Sequence, residues 1–215
     1  MLRNAIVTGF VLLLVVGLYF ALNTVTGDGS VMRVAGNLFF SAPEKTPDPA
    51  PAVAAATPAL QQPLSGFAQK FSNHLLVMED GRAKSFDASK LAGVKYWAFY
   101  YSASWCPPCR AFTPDLVSFY NSFKPSHPNF ELIFVNDDRD EPDMLNYMKG
   151  DEMPWPAIWY GDIDNPELEA KKYCGPGIPC LVLVDANGRV LSDTMQGGQY
   201  TDPHHVIDDI RAMVQ

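Results

Sequence analysis

Two cysteines three positions apart, Cys106 and Cys109, stand in the pentapeptide Trp105-Cys106-Pro107-Pro108-Cys109. Such a C-x-x-C pair closes into a small ring when oxidised and reopens when a thiolate attacks it, so it stores one electron pair reversibly. The chemistry depends on what holds the sulfurs. Upstream, Val94-Lys95-Tyr96-Trp97-Ala98-Phe99-Tyr100-Tyr101 is rich in aromatics and runs into Ser102-Ala103-Ser104, which predicts a buried strand over 94–101 and then a loop. Downstream, Phe112, Leu116, Phe119, Tyr120 and Phe123 recur at three- and four-residue spacing, which predicts a helix over 106–123. Pro107 and Pro108 suit its first turn, where the backbone N–H groups have no intrahelical partner to lose. Cys106 is therefore expected at the positive end of a helix dipole, which favours thiolate over thiol, and Arg110 adds a cation. Cys106 is the expected nucleophile and Cys109 the resolving thiol. A zinc knuckle would need two further ligands, but Cys174 and Cys180 are separated by five residues rather than two. His74, His127, His204 and His205 supply no ligand spacing either, so no metal site is expected.

From about Leu64 onward the chain resembles the thioredoxin fold family, in particular its tryparedoxin and nucleoredoxin branch. Tyr100 to Arg110 is similar to that branch's active-site signature, with W-C-P-P-C where ordinary thioredoxins carry W-C-G-P-C. Phe112-Thr113-Pro114 and Phe119-Tyr120 also match, and Pro114 falls eight residues after the first cysteine, at the family's helix-kinking proline. Met153-Pro154-Trp155-Pro156-Ala157 resembles the branch's M-P-W segment, and Gly177-Ile178-Pro179 its G-I-P turn. The resemblance implies that Pro179 is a cis-proline beside the dithiol and that the Ile178 backbone receives an extended partner chain, with Trp155 also on the client side. Two departures stand out. Tyr100 occupies the position where many thioredoxins bury an acid, which leaves the proton acceptor unassigned; Asp137, Asp138 and Glu141 follow the next strand and are expected as solvated strand-end acids. Cys180 stands where the family commonly has threonine.

Cys174 and Cys180 bracket a turn-rich stretch, Gly175 to Pro179. A structural disulfide between them, a pair of free thiols, and a second redox pair feeding Cys106/Cys109 are the three readings; the first requires Cα atoms roughly 4.4–6.8 Å apart.

Ala5 to Leu22 is an eighteen-residue apolar run with Arg3 in front and no clean A-x-A site after it. It reaches the lower bound for a membrane span and is favoured as an uncleaved signal anchor over a cleaved signal peptide. The organisation expected is a cytosolic N-terminus (1–4), a transmembrane anchor (5–22), a linker rich in proline and alanine toward its end (23–63) and one thioredoxin-like domain (64–215). The linker cannot bury enough apolar surface to fold alone and acts as an extended spacer. This places the domain in the periplasm or an equivalent extracytoplasmic space, on the inner membrane.

The coarse order is a helical or hairpin section over 67–85, strand 94–101, helix 106–123, strand 130–136, helix 140–150, strands 181–185 and 189–193, and helix 203–213. Asp185-Ala186-Asn187-Gly188-Arg189 is a hairpin signal. This pattern fits an α/β thioredoxin-like three-layer sandwich with a mixed central sheet flanked by helices. A net charge of −8 excludes an electrostatic nucleic-acid binder. No Walker A or G-x-G-x-x-G motif occurs, so no nucleotide or flavin cofactor is indicated. The expected function is membrane-anchored thiol-disulfide exchange, with protein disulfides as partners and a membrane electron donor as a further partner. Reduction is favoured by analogy with tethered thioredoxin-like reductants; disulfide donation or isomerisation, and a non-catalytic redox-sensing binding module, are the alternatives.

Overall fold

The computed structural model describes residues 63–215, so the expected anchor over 5–22 and all of the linker but its last residue lie outside the described residues. Among the described residues no helix is long and apolar enough to cross a membrane.

The elements follow one another as helix α1 (Gly66–Phe71), strands β1 (Leu75–Glu79) and β2 (Arg82–Ser85), strand β3 (Tyr96–Ser102), helix α2 (Pro107–Phe123), strand β4 (Phe130–Asn136) and helix α3 (Glu141–Gly150). The short strand β5 (Ala157–Ile158) precedes a long irregular segment, and β6 (Cys180–Asp185) and β7 (Val190–Asp193) form a hairpin. A second, small hairpin of β8 (Met195–Gln196) and β9 (Gln199–Tyr200) leads into helix α4 (His204–Met213).

Seven strands form one sheet in the order β2-β1-β5-β4-β3-β6-β7. The pairs β3/β4 and β4/β5 are parallel and the rest antiparallel, so the sheet is mixed as expected. Its central strands are buried on both faces. Side chains alternate along β3 between two apolar clusters, with Ala98 and Tyr100 on one side and Trp97, Phe99 and Tyr101 on the other. The first face is covered by α2, α3 and α4, through Phe112, Leu116 and Phe119, Met144 and Met148, and Val206 and Ile210. The second is covered by α1, through Ala68 and Phe71, and by the irregular segment, through Ile163, Leu168 and Ala170. These helices and loops complete the three layers.

Register decides where chemistry can happen. Ser102 at the end of β3 lies opposite Asn136 at the end of β4, and Tyr101 opposite Cys180 at the start of β6. Three neighbouring strands therefore open their connecting loops at one end of the sheet: the C-x-x-C turn, the acidic turn after β4, and the Gly-Ile-Pro turn before β6. The β6–β7 turn closes where its sequence signal lies. Gly188 adopts φ +77° there and donates to the Asp185 carbonyl at 2.9 Å, while the Asp185 carboxylate accepts from the N–H groups of Asn187 and Arg189. A Cβ at Gly188 would also stand 2.6 Å from the Tyr173 hydroxyl, so only glycine fits.

Candidate active site

Cys106 is the N-cap of α2, with extended backbone (φ −91°, ψ 107°), and the two prolines occupy the first helical positions. Its sulfur accepts a hydrogen bond from the Cys109 N–H at 3.2 Å, satisfying one of the free donors of the helix start, and its carbonyl accepts from Arg110 N at 3.1 Å. Cys106 and Cys109 are joined as a disulfide. Cys109 is fully enclosed, whereas Cys106 borders a cleft of 590 Å³. Trp105, 53% exposed, stands at the mouth of the cleft, and its Nε1 donates to the Asp137 carbonyl at 3.1 Å. Arg110 is exposed, and its charge acts on Asp151, whose carboxyl is nevertheless pushed up by burial.

The opposite wall is the loop before β6. The Ile178–Pro179 bond is cis, and the Ile178 carbonyl oxygen lies 3.8 Å from Cys106 Sγ. The next carbonyl, that of Pro179, accepts from the Tyr200 hydroxyl at 2.6 Å. The β8–β9 hairpin thereby holds the loop from outside. Tyr200 carried no sequence signal, since two strands of two residues are too short to show a period.

Beneath the disulfide lies a buried hydroxyl network. Thr113 Oγ1 donates to the Cys109 carbonyl at 2.9 Å and accepts from Tyr100 Oη at 2.8 Å and Tyr147 Oη at 2.6 Å; Tyr147 in turn accepts from Ser102 Oγ at 2.9 Å. Burial pushes the Tyr100 phenol far above its ordinary range, so it serves as a neutral donor. The departure at Tyr100 thus replaces an acid by one member of a four-hydroxyl chain.

The acids after β4 do not all behave as expected. Asp137 is exposed, but Asp138 is buried, and its Oδ1 accepts from Ser104 N at 2.8 Å and from Ser104 Oγ at 2.7 Å. Desolvation raises its carboxyl above the usual range, against the Ser104 hydrogen bonds that lower it. Asp138 is therefore a clasp on the loop before Trp105 rather than a solvated strand-end acid.

One further expectation is corrected and one open question is narrowed. Trp155 is fully buried, edge-on to Tyr100 at 6.2 Å and to Tyr120 at 5.6 Å, so it fills the core under the site instead of lining the cleft. Cys174 and Cys180 are not bridged; both are thiols. Cys180 already belongs to β6 and packs in the cluster with Tyr101 and Val182, against which Cys174 also packs. Among the described residues no group of three metal-ligating side chains occurs.

The fold and a cysteine-capped helix facing a cis-proline loop define a thioredoxin-like redox protein. A sequence description of that family, Thioredoxin-like, matches residues 93–190. The chain belongs to the thioredoxin-like family. Human nucleoredoxin is 40% identical over 114 residues, 53% of this chain and 25% of that protein. Probable nucleoredoxin 1 of Arabidopsis thaliana is 43% identical over 93 residues, 43% of this chain and 16% of that one. The match thus spans a quarter or less of these curated relatives' length. Among solved structures, tryparedoxin I from Leishmania major shares 33% identity at a TM-score of 0.50, covering 69% of this chain and 95% of its own. Tryparedoxin II from C. fasciculata shares 32% at 0.53, covering 70% and 93%.

Proposed function

We propose that this protein is a thiol-disulfide oxidoreductase that reduces disulfides of extracytoplasmic proteins, held to the inner membrane by residues 5–22. The observation that carries the redox reading is the Cys106 cap: the sulfur at the cleft already receives a helix N–H, the arrangement that favours a thiolate once the disulfide is opened. The reduced Cys106 attacks a client disulfide, and a mixed disulfide forms as one client sulfur leaves and takes a proton. Cys109, one turn behind, then attacks Cys106 Sγ, closing the disulfide seen here and releasing the second client sulfur. The client chain lies along the cis-proline loop, where the Ile178 carbonyl is available to an extended backbone, and Trp105 covers the mouth of the cleft.

Replacing each cysteine tests the roles. Cys109→Ser is expected to trap client mixed disulfides and Cys106→Ser to trap none; the reverse result would overturn the assignment. The reduction potential of Cys106/Cys109 tests direction. A value near that of thioredoxin, about −270 mV, supports a reductase, and about −120 mV an oxidant. Anchoring rests on the apolar run behind Arg3, and alkaline carbonate extraction of membranes is expected to leave the full chain in the pellet while releasing a chain that lacks residues 1–22.

A further inference from the structure

Cys174 and Cys180 frame the loop that faces the active-site sulfur, and the reaction above uses neither. Cys180 is 1% exposed at the first position of β6, while Cys174 is half-buried and shares the cleft wall with Cys106. The five residues between them bring the two thiols near enough to shift each other's protonation, and the Cys174 thiol donates to the Gly175 carbonyl at 3.2 Å. The neighbouring Cys174 lowers the Cys180 thiol below its ordinary range, while Cys180 and burial push the Cys174 thiol up. A cleft-facing sulfur backed by an enclosed one repeats the division of labour in the W-C-P-P-C turn. Ile178 touches both arrangements, packing on Cys106 and Cys109 and also on the cluster that contains Cys174 and Cys180.

We propose that Cys174 and Cys180 form a second dithiol that exchanges with the Cys106–Cys109 disulfide across the shared cleft, an inference that rests on the redox reading given above. Cys174 passes its proton toward Cys180 and attacks Cys106 Sγ. The Cys106–Cys174 bond forms as the Cys106–Cys109 bond breaks, and Cys109 leaves and takes up the proton that Cys180 had received. Cys180 then attacks Cys174 Sγ, forming the Cys174–Cys180 bond and releasing Cys106 as a thiolate. Two electrons pass from the loop pair to the helix pair, and no outside oxidant is consumed. The reverse exchange uses the same bonds. A chain oxidised at the loop pair holds its attacking dithiol reduced, and the two ends of the client-facing loop are then tied together.

The test uses the full-length chain. The double variant Cys109→Ser/Cys180→Ser keeps one sulfur of each pair, and in a glutathione redox buffer it is expected to form an intramolecular Cys106–Cys174 disulfide. In the chain with all four cysteines, acid quenching, alkylation and peptide mapping across a series of buffer potentials are expected to show a Cys174–Cys180 disulfide. Its formation should be about tenfold slower in Cys106→Ser. If the double variant gives only glutathione adducts, or if Cys174 and Cys180 stay alkylatable wherever Cys106–Cys109 is oxidised, the exchange is overturned while the redox reading stands. If Cys106/Cys109 itself fails to cycle with buffer potential, the redox reading falls as well.

Discussion

Thr113→Val removes one oxygen from beneath the active-site helix and keeps nearly the same shape. Three hydrogen bonds end on that oxygen: to the Cys109 carbonyl at 2.9 Å, to Tyr100 Oη at 2.8 Å and to Tyr147 Oη at 2.6 Å. Each such bond contributes about 1 kcal/mol net, and a buried partner left unpaired costs more. Both phenols keep a second partner, however. Tyr100 Oη lies 3.4 Å from the Cys109 carbonyl and Tyr147 Oη 2.9 Å from Ser102 Oγ, so the loss stays near the simple sum of about 2–3 kcal/mol. For a domain of this size that corresponds to a fall in melting temperature of about 5–10 °C. The control is Thr113→Ser, which keeps the hydroxyl and deletes one methyl at a cost of about 1 kcal/mol. Urea unfolding followed by tryptophan fluorescence, run oxidised and reduced, measures both. The network would have no stabilising role if valine cost no more than serine.

The other predictions concern acids and tryptophans. Burial raises the Asp138 carboxyl, so its contribution to stability is present below the ordinary Asp range and is lost as pH rises through the raised folded value. Asp138→Asn should remove that part of the decline, and parallel urea midpoints between pH 3 and pH 7 for the two chains would refute this. His204 bridges Asp202 and Asp115 at 2.6 and 3.1 Å, and those hydrogen bonds raise its pKa. Its stabilisation is therefore full below the ordinary histidine range and fades as pH climbs through the folded value. Asp115→Asn should shrink the gain seen on going from pH 8 to pH 6; an unchanged gain counts against the bridge. Trp155→Phe should cost about 1–3 kcal/mol of stability with client turnover per folded molecule unchanged. Trp105→Ala should weaken client KM at nearly constant stability; if the two variants exchanged phenotypes, the assignment of Trp155 to the core would fail.

The parts legible in the sequence are those with local causes. The run from Tyr96 to Tyr101, the apolar spacing from Phe112 to Phe123 and the run from Phe130 to Asn136 each fix an element within two residues, because each carries its own period or length. The cap at Cys106 was equally readable, since the prolines and cysteines lie within one turn. What escaped depends on contacts across the chain. Ser102, Thr113 and Tyr147 meet over separations of up to 45 residues, and nothing in their immediate neighbours points to the meeting. Trp155 lies in the Met153-Pro154-Trp155-Pro156 segment, yet an aromatic beside prolines reads the same whether it faces a client or a core. Cys180 was ambiguous because the first five residues of β6 are all buried, so no polar alternation marks which way each side chain turns.

The rims of the sheet bear on behaviour at high concentration. β2 ends it on one side with only four residues, mostly exposed, and presents Arg82 and Lys84, the latter paired to Glu79 at 3.0 Å. A strand that short and that cationic is a poor template for a neighbouring chain, because two copies meeting rim to rim would set like charges side by side. Colloidal self-association through backbone pairing is therefore discouraged at that margin.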